Sequence, residues 1–351
     1  MHPPPEIAIG SRRLGDAHRC YVIVEAGANH NRDLDTALRL IDVAAEAGAD
    51  AVKFQTYTGS DLYSTKTPAF DYLGPLGARP VHELLDDLAL PREWQPLLAD
   101  HARGHNIEFL SSPFDFAAVE ELAALGVAAF KVASFEIVDL SLVAAMARHH
   151  LPIIFSTGMA TLAEIDEALH AARFEGADQL CLLQCASLYP SPPSIMNLRV
   201  IPSLKAAFRV PVGLSDHTTG IHIAPSAVAL GANLIEKHFT LDRSSPGPDH
   251  PFAVEPDELG AMIRHIRDVE EALGDGVKQG PSPQENEEMY AKARRSVVAA
   301  CDIPCGSRIT RDMLTIKRPG FGVSPKLIDA LVGRTAAVDI ERDDVILWEM
   351  L

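Results

Sequence analysis

The sequence predicts an α/β protein: a (β/α)8 barrel followed by a small C-terminal domain. Three observations predict it. Short apolar runs of strand character alternate with helical patterns eight times between residues 20 and 273. The runs are continuous rather than alternating, as expected for parallel strands buried on both faces. Each run ends in polar or ionisable side chains, the pattern of strands whose C-terminal ends share one mouth. A doubly wound sheet is the competing architecture, but no GxGxxG turn follows the first strand.

The elements follow in order. Residues 21–25 (YVIVE) make the first strand, and a helical pattern over 34–47 ends at Gly48. The second strand is 51–55. Residues 56–91 carry no clear periodicity and read as a long irregular loop, a candidate lid or substrate-binding insertion. A helix over 92–103 leads to a strand over 107–111, and a helix over 116–125 leads to a strand over 129–133. Helix 140–149 precedes strand 153–156, and helix 162–174 precedes strand 179–184. A Pro-rich loop (LYPSPPS) and helix 198–208 lead to strand 212–214. Helix 223–230 leads to strand 234–237, and helix 256–273 closes the series. The barrel is expected over 1–273. Residues 274–288 are polar and rich in Gly, Pro and Glu, a linker by composition. Residues 289–351 show short β runs, turns and small helical pieces, a separate compact domain.

Size and charge exclude several classes. The chain has 351 residues, enough for a barrel and a smaller domain, and 47% of them are hydrophobic. The 31 basic and 48 acidic residues give a net charge of −17, against a nucleic-acid or membrane-surface partner. An anionic substrate would then need cations placed locally. No apolar run reaches membrane-spanning length, and the start, MHPPPEIAIGSRR, has no secretion signal. Five cysteines, Cys20, Cys181, Cys185, Cys301 and Cys305, make no disulfide framework. Cys181 and Cys185 read as buried thiols, and the expected compartment is the reducing cytoplasm.

The polar packets fall at the strand ends. Strand one ends at Glu25 and runs into Asn29, His30 and Asn31. Strand two carries Lys53 and Gln55. Strand three ends in Ser111, Ser112 and Asp115, and strand four carries Lys131 and ends in Ser134, Phe135 and Glu136. Strand five ends in STGM from Ser156, and strand six in Gln184, Cys185, Ser187 and Tyr189. Strand seven releases Ser215, Asp216 and His217; strand eight releases Glu236, Lys237 and His238. A lone histidine or lysine at such a place is ordinarily structural. Three lysines within apolar runs, Lys53, Lys131 and Lys237, cannot all be buried unpaired. An anionic ligand in the mouth explains them, with the serines as hydroxyl donors suited to phosphate or carboxylate. His217 and His238 fit a divalent metal with open positions; imidazole plus oxygen suits Mn, Co, Zn or Fe. Two hydrogen-bonded histidines beside a phosphate are the alternative. Asp249 is a further ligand candidate, and His30 and Glu25 are candidates to orient a water or a sugar hydroxyl. His105, His149 and His150 read as surface residues.

At this point the residues resemble those of the sialic acid (nonulosonic acid) synthase family. The matching motifs are EAGANHN (25–31), ADAVKFQTY, SSPFD, KVASFE, STGM, GLSDHT, EKHFT and PGPD. RRSVVAACDIPCGSRIT and IKRPGFGVSP are similar to its C-terminal antifreeze-like (SAF) domain. The resemblance implies an enzyme that condenses phosphoenolpyruvate with an open-chain N-acyl amino sugar, with C–O cleavage and release of phosphate. It implies metal ligation by His217 and His238, with Mn2+ the first choice and Mg2+, Co2+ or Zn2+ as alternatives. It implies catalytic roles for Glu25, Lys53, Glu136 and Asp249. Substrate contacts fall to Gln55, Ser112, Lys131, Ser134, Ser156, Ser187, Ser215 and Tyr189. Arg318, in KRPG, matches an arginine that reaches a neighbouring subunit's site, which implies a domain-swapped homodimer. Ser187 stands where the family usually has Asn, and Phe135 where its neuraminate branch usually has Gly.

Two other readings stay open. One is a phosphoenolpyruvate-dependent keto-deoxy sugar acid synthase acting on a phosphorylated aldose, which has no use for residues 289–351. The other is a non-catalytic, spore-coat-like polysaccharide homologue, against which the intact Glu25, Lys131, His217 and His238 argue.

Overall fold

The computed structural model describes residues 5–68 and 79–351 and divides into two compact units, Met1–Gly274 and Asp275–Leu351. In the first unit, strands β1 (Glu6–Ile9) and β2 (Arg12–Gly15) form an antiparallel hairpin. Eight parallel strands follow: β3 (Tyr21–Glu25), β4 (Ala51–Thr56), β5 (Glu108–Pro113), β6 (Phe130–Val132), β7 (Ile153–Ser156), β8 (Leu180–Cys185), β9 (Val212–Asp216) and β10 (Leu234–His238). Their order is β5-β4-β3-β10-β9-β8-β7-β6, and the end strands β5 and β6 lie alongside each other. The sheet is therefore a nearly closed barrel of eight parallel strands, the (β/α)8 architecture.

Helices α1 (Leu34–Glu46), α4 (Gln95–Gly104), α5 (Phe116–Leu125), α6 (Leu140–Ala147), α7 (Leu162–Phe174), α8 (Val200–Phe208), α9 (Ile223–Ala229) and α10 (Pro256–Leu273) cover the outside, while the short α2 (Gly59–Leu62) and α3 (Val81–Leu88) pack together in the segment after β4. Local chemistry starts several of them. Asp33, Asp115 and Asp139 accept backbone N–H bonds from the first turns of α1, α5 and α6, and Thr161 forms a capping box with Glu164 on α7. No helix among the described residues is long and apolar enough to cross a membrane.

Two apolar layers hold the barrel. The outer layer packs Val22, Val24, Val52, Phe54, Phe109, Val132, Phe155, Leu182, Leu214 and Ile235 against the helices. The inner layer joins Tyr21, Ile23, Ala51, Leu110, Ala129, Ile154, Cys181, Leu183 and Leu234 to Ile7, Ile9 and Leu14 of the hairpin. These inner residues stand at the N-terminal ends of the strands, so the hairpin plugs that end of the barrel. Burying each leucine or isoleucine of this layer contributes about 1.5–3 kcal/mol.

The structure departs from the sequence expectations at two places. Residues 6–15 form a hairpin with one buried face, Ile7, Ile9 and Leu14; their alternation about a Gly10–Ser11 turn is its faint signal. The expected irregular loop over 56–91 contains α2 and α3. Val81 and Leu84 of α3 are buried at a spacing of three, a helical stripe too short to stand out. Residues 69–78 of that segment lie outside the described residues.

The second unit has its own core of Val297, Ala299, Ile303, Ile309, Leu314, Val323, Ile328, Leu331, Ala336, Ile340 and Ile346. Strands β11 (Ser296–Ala299) and β12 (Leu314–Lys317) pair antiparallel, and bridges Val298–Val345, Ile303–Ile340 and Arg308–Thr335 tie in the rest. Helical turns run from Pro283 to Ala293.

Candidate active site

Side chains on one face of a strand recur every second residue. Stepping two residues on from the inner apolar layer reaches the mouth: Ile23 to Glu25, Ala51 to Lys53 and Gln55, Leu110 to Ser112, Ala129 to Lys131, Ile154 to Ser156, Leu183 to Cys185, and Leu234 to Glu236 and His238. Register aligns them across strands: His238 is level with Glu25, Glu25 with Lys53, Gln55 with Ser112, and Glu236 with Ser215. The barrel thus changes from an apolar floor to a polar ceiling within one pleat.

Two buried ammonium groups organise the ceiling. Lys53 Nζ lies 2.6 Å from Glu25 Oε2 and 3.3 Å from Ser112 Oγ. Gln55 Nε2 donates to the other Glu25 oxygen at 2.8 Å. Lys131 Nζ donates to Ser156 Oγ at 2.8 Å and lies 3.7 Å from Glu236 Oε1, which also accepts from Ser215 Oγ at 3.2 Å. Burial pulls the Lys53 ammonium down, but Glu236 and Glu25 more than offset this and hold it above its usual value. Burial leaves Lys131 below its usual value despite Glu236. Glu25 is pushed up to about 7, chiefly by burial, against the pull of Lys53.

The third lysine behaves differently. Lys237 alternates with Glu236 and His238 and so faces away from the mouth, where its Nζ meets Asp216 Oδ2 at 2.9 Å and the Thr218 carbonyl. An anionic ligand in the mouth is not needed to explain it. Lys53 and Lys131 also have carboxylate partners. The buried cations alone therefore do not demand an external anion. His30 is a second correction: its ring packs near Phe54 and Trp94, at 6.2 and 6.4 Å, and its Nδ1 accepts the Arg32 N–H, so it sits in the helix-facing layer. Glu236 is a mouth residue to which the sequence reading gave no role. It stands two residues before His238, on the same face, which was its available signal.

The two histidines meet. Their ring centroids lie 5.3 Å apart, with Tyr189 4.3 Å from His217 and Phe252 5.0 Å from His238. His217 Nδ1 lies 3.0 Å from the Ala186 carbonyl; donating there leaves Nε2 as the lone-pair nitrogen. Burial, reinforced by His217 and the lysines, pushes His238 well below its usual value, so it is a neutral imidazole. Its Nδ1 is buried with no hydrogen bond, 3.8 Å from Asp249 Oδ2. That carboxylate oxygen also accepts the Ala28 N–H at 3.4 Å and packs where a Cβ on Gly27 would stand, at 2.7 Å and a φ of +50°. A pair of imidazoles, one tautomer held and one nitrogen orphaned, fits a divalent ion.

Opposite, STGM forms a cradle. Gly158 N–H donates to Ser134 Oγ at 3.1 Å. A Cβ at Gly158 would stand 2.2 Å from Ser187 Oγ and 2.9 Å from Ser134 Oγ, so only glycine lets both hydroxyls approach. Ser187 Oγ, Glu136 Oε2, Glu236 Oε2 and His238 Nδ1 are all buried polar atoms without a hydrogen-bond partner. Buried orphans of this kind are costly and rare in a folded protein. The structure thus brings Glu25, Lys53, Gln55, Ser112, Lys131, Ser134, Glu136, Ser156, Ser187, Tyr189, Ser215, His217, His238 and Asp249 to the C-terminal end of the barrel. Arg318 belongs to the second unit, directly after β12, and is exposed.

A (β/α)8 barrel carries its chemistry at the C-terminal ends of its strands, and here imidazoles, buried lysines and serines are gathered at that end. The chain belongs to the NeuB family, whose model matches residues 40–278, and residues 294–351 match the SAF domain. It is similar to the N,N'-diacetyllegionaminic acid synthase of Campylobacter jejuni, 42% identical over 93% of this chain and 98% of that protein. It is 38% identical to a pseudaminic acid synthase of the same species, over 93% and 95% of the two chains. A solved N-acetylneuraminic acid synthetase from Leptospira borgpetersenii, in complex with citrate, superposes with a TM-score of 0.72 at 35% identity, covering 82% of this chain and 96% of that one.

Proposed function

We propose that this chain condenses phosphoenolpyruvate with the open-chain aldehyde of an N-acyl amino sugar, giving a nine-carbon 2-keto acid and inorganic phosphate. One observation supports this above the others: buried polar atoms of Glu136, Ser187, Glu236 and His238 stand unpartnered around one mouth. A site that stabilises itself internally would not leave them so.

In this reading Lys131, Lys53 and the hydroxyls of Ser112, Ser134, Ser156, Ser187 and Ser215 bind the phosphate and carboxylate of the donor, with charge-assisted bonds in a dry pocket. His217 and His238 would hold a divalent ion, Mn2+ first, with Asp249 beside His238; the ion's contribution would be Lewis acidity at the aldehyde oxygen. The donor C3 forms the new bond to the aldehyde carbon, and that oxygen takes up a proton. Water adds at the donor C2, and the C2–O bond breaks with departure of phosphate. Glu136, pushed up to about 7 by burial, is suited to pass protons at neutral pH. Glu25, held by Lys53 and Gln55, orients the water or a sugar hydroxyl. Arg318 is assigned to the N-acyl group in a neighbouring subunit of a homodimer.

The test is turnover of phosphoenolpyruvate and a divalent metal with N-acetylmannosamine and the two diacetamido trideoxyhexoses, read by phosphate release and product mass. One of the three should yield the keto acid three carbons longer. No phosphate release with any of them would refute the proposal and favour the non-catalytic homologue.

A further inference from the structure

Away from the mouth, one cluster draws metal-ligating side chains from two separate helices. Asp42 lies on α1; His101 lies on α4 and His105 caps it. We propose that Asp42, His101 and His105 form a second cation site, of the zinc type, that clamps α1 to α4.

The geometry supports this at three levels. The histidines stand four residues apart, which puts both rings on one helix face, and the His105 N–H still reaches the His101 carbonyl at 3.2 Å, so the helical register persists through the cap. Both Nε2 atoms converge on the same oxygen, Asp42 Oδ1, at 2.7 Å from His101 and 3.3 Å from His105. The three ligand atoms lie within 4.8 Å of one another. Tetrahedral zinc, with bonds of about 2.0–2.2 Å, spaces its ligand atoms by about 3.3 Å. Small ring rotations therefore suffice to seat an ion between them.

The surroundings fit the same role. The other Asp42 oxygen faces Arg39 Nη1 at 3.6 Å, and Arg39 is also drawn to Glu46 at 3.1 Å. That contact holds the carboxylate with Oδ1 turned to the histidines. The side chains of Asp42, His101 and His105 are 26%, 30% and 42% exposed, which leaves water free to complete the shell. Two imidazoles and a carboxylate suit zinc better than calcium or magnesium. The C-terminal end of α4 leads into the start of β5, so the cluster sits at the end of the barrel opposite the mouth. Its role is structural: it joins the helices of the first two β/α units.

The experiment uses the full-length protein freed of metal by a chelator and titrated with Zn2+ alone by calorimetry. In a background carrying His217→Ala and His238→Ala, one equivalent should still bind, and zinc should raise the unfolding temperature. Adding His101→Ala and His105→Ala should weaken that binding by about 100-fold or more, since even outer-shell changes cost about 10–100-fold. In an otherwise native chain the His101→Ala, His105→Ala variant should keep turnover and bind one equivalent fewer than the native protein. The proposal fails if the mouth-deleted protein binds no zinc, or if both native-background proteins bind the same number of equivalents.

Discussion

Replacing Glu136 by glutamine separates what this carboxyl costs the fold from what it does in the site. Its Oε2 is buried without a partner, and burial moves its titration from the usual 4.5 to about 7, with Lys131 only partly offsetting. The sign follows from linkage: the folded protein holds the proton more tightly than the unfolded chain. The carboxyl's contribution to stability is therefore intact below about pH 4.5 and is lost as pH rises through about 7. A displacement of that size is worth about 3 kcal/mol. Glu136→Gln should thus be more stable than the native protein by about 3 kcal/mol at pH 8, and by about 1 kcal/mol or less at pH 5. Urea unfolding at the two pH values, followed by tryptophan fluorescence, reads the difference. Turnover should fall at least about 100-fold, because the amide cannot pass a proton. A glutamine variant whose advantage does not grow with pH would refute the burial argument; one with native turnover would remove Glu136 from the chemistry.

Other substitutions test the remaining parts of the mouth. Lys131→Met removes a charge-assisted contact worth about 1.5–3 kcal/mol, so the KM for phosphoenolpyruvate should rise about 10- to 100-fold, and an unchanged value would assign the donor elsewhere. Gly158→Ala puts a Cβ 2.2 Å from Ser187 Oγ; the serines must swing out, and donor affinity should fall while the fold survives, as circular dichroism would show. Native kinetics in that variant would mean the hydroxyl pair binds nothing. Arg318→Ala should raise the sugar KM without moving the donor KM; equal effects on both would place Arg318 in a structural role.

Much of this was legible from the chain alone, for a definite reason. Parallel strands buried on both faces must be continuous apolar runs, so β3, β7 and the helices α5, α7 and α10 could be bounded to the residue. Functional side chains must leave an apolar run where it ends, so Glu25, Lys53, Lys131, His217 and His238 announced themselves by interrupting it. The hairpin β1–β2 and helix α3 were not read, because their few buried side chains alternate with exposed ones over too short a stretch, whereas the equally short β7 is apolar and buried throughout.

What sequence by itself determined was composition along each element: which residues could be buried, which could carry charge, and in what order they came. It could not say which of two adjacent polar residues faces the lumen. That depends on the pleat and on register across strands far apart in the chain, which exist only once the ring closes. Tertiary structure therefore turned Lys237 outward to Asp216 while turning Glu236 and His238 inward. It supplied Lys53 and Lys131 with carboxylate partners, and it brought His101 and His105 against Asp42, some sixty residues away. The physical reason is common to all of these. A side chain's chemical environment is set by neighbours in space, and burial makes those neighbours, rather than water, fix its charge and its role.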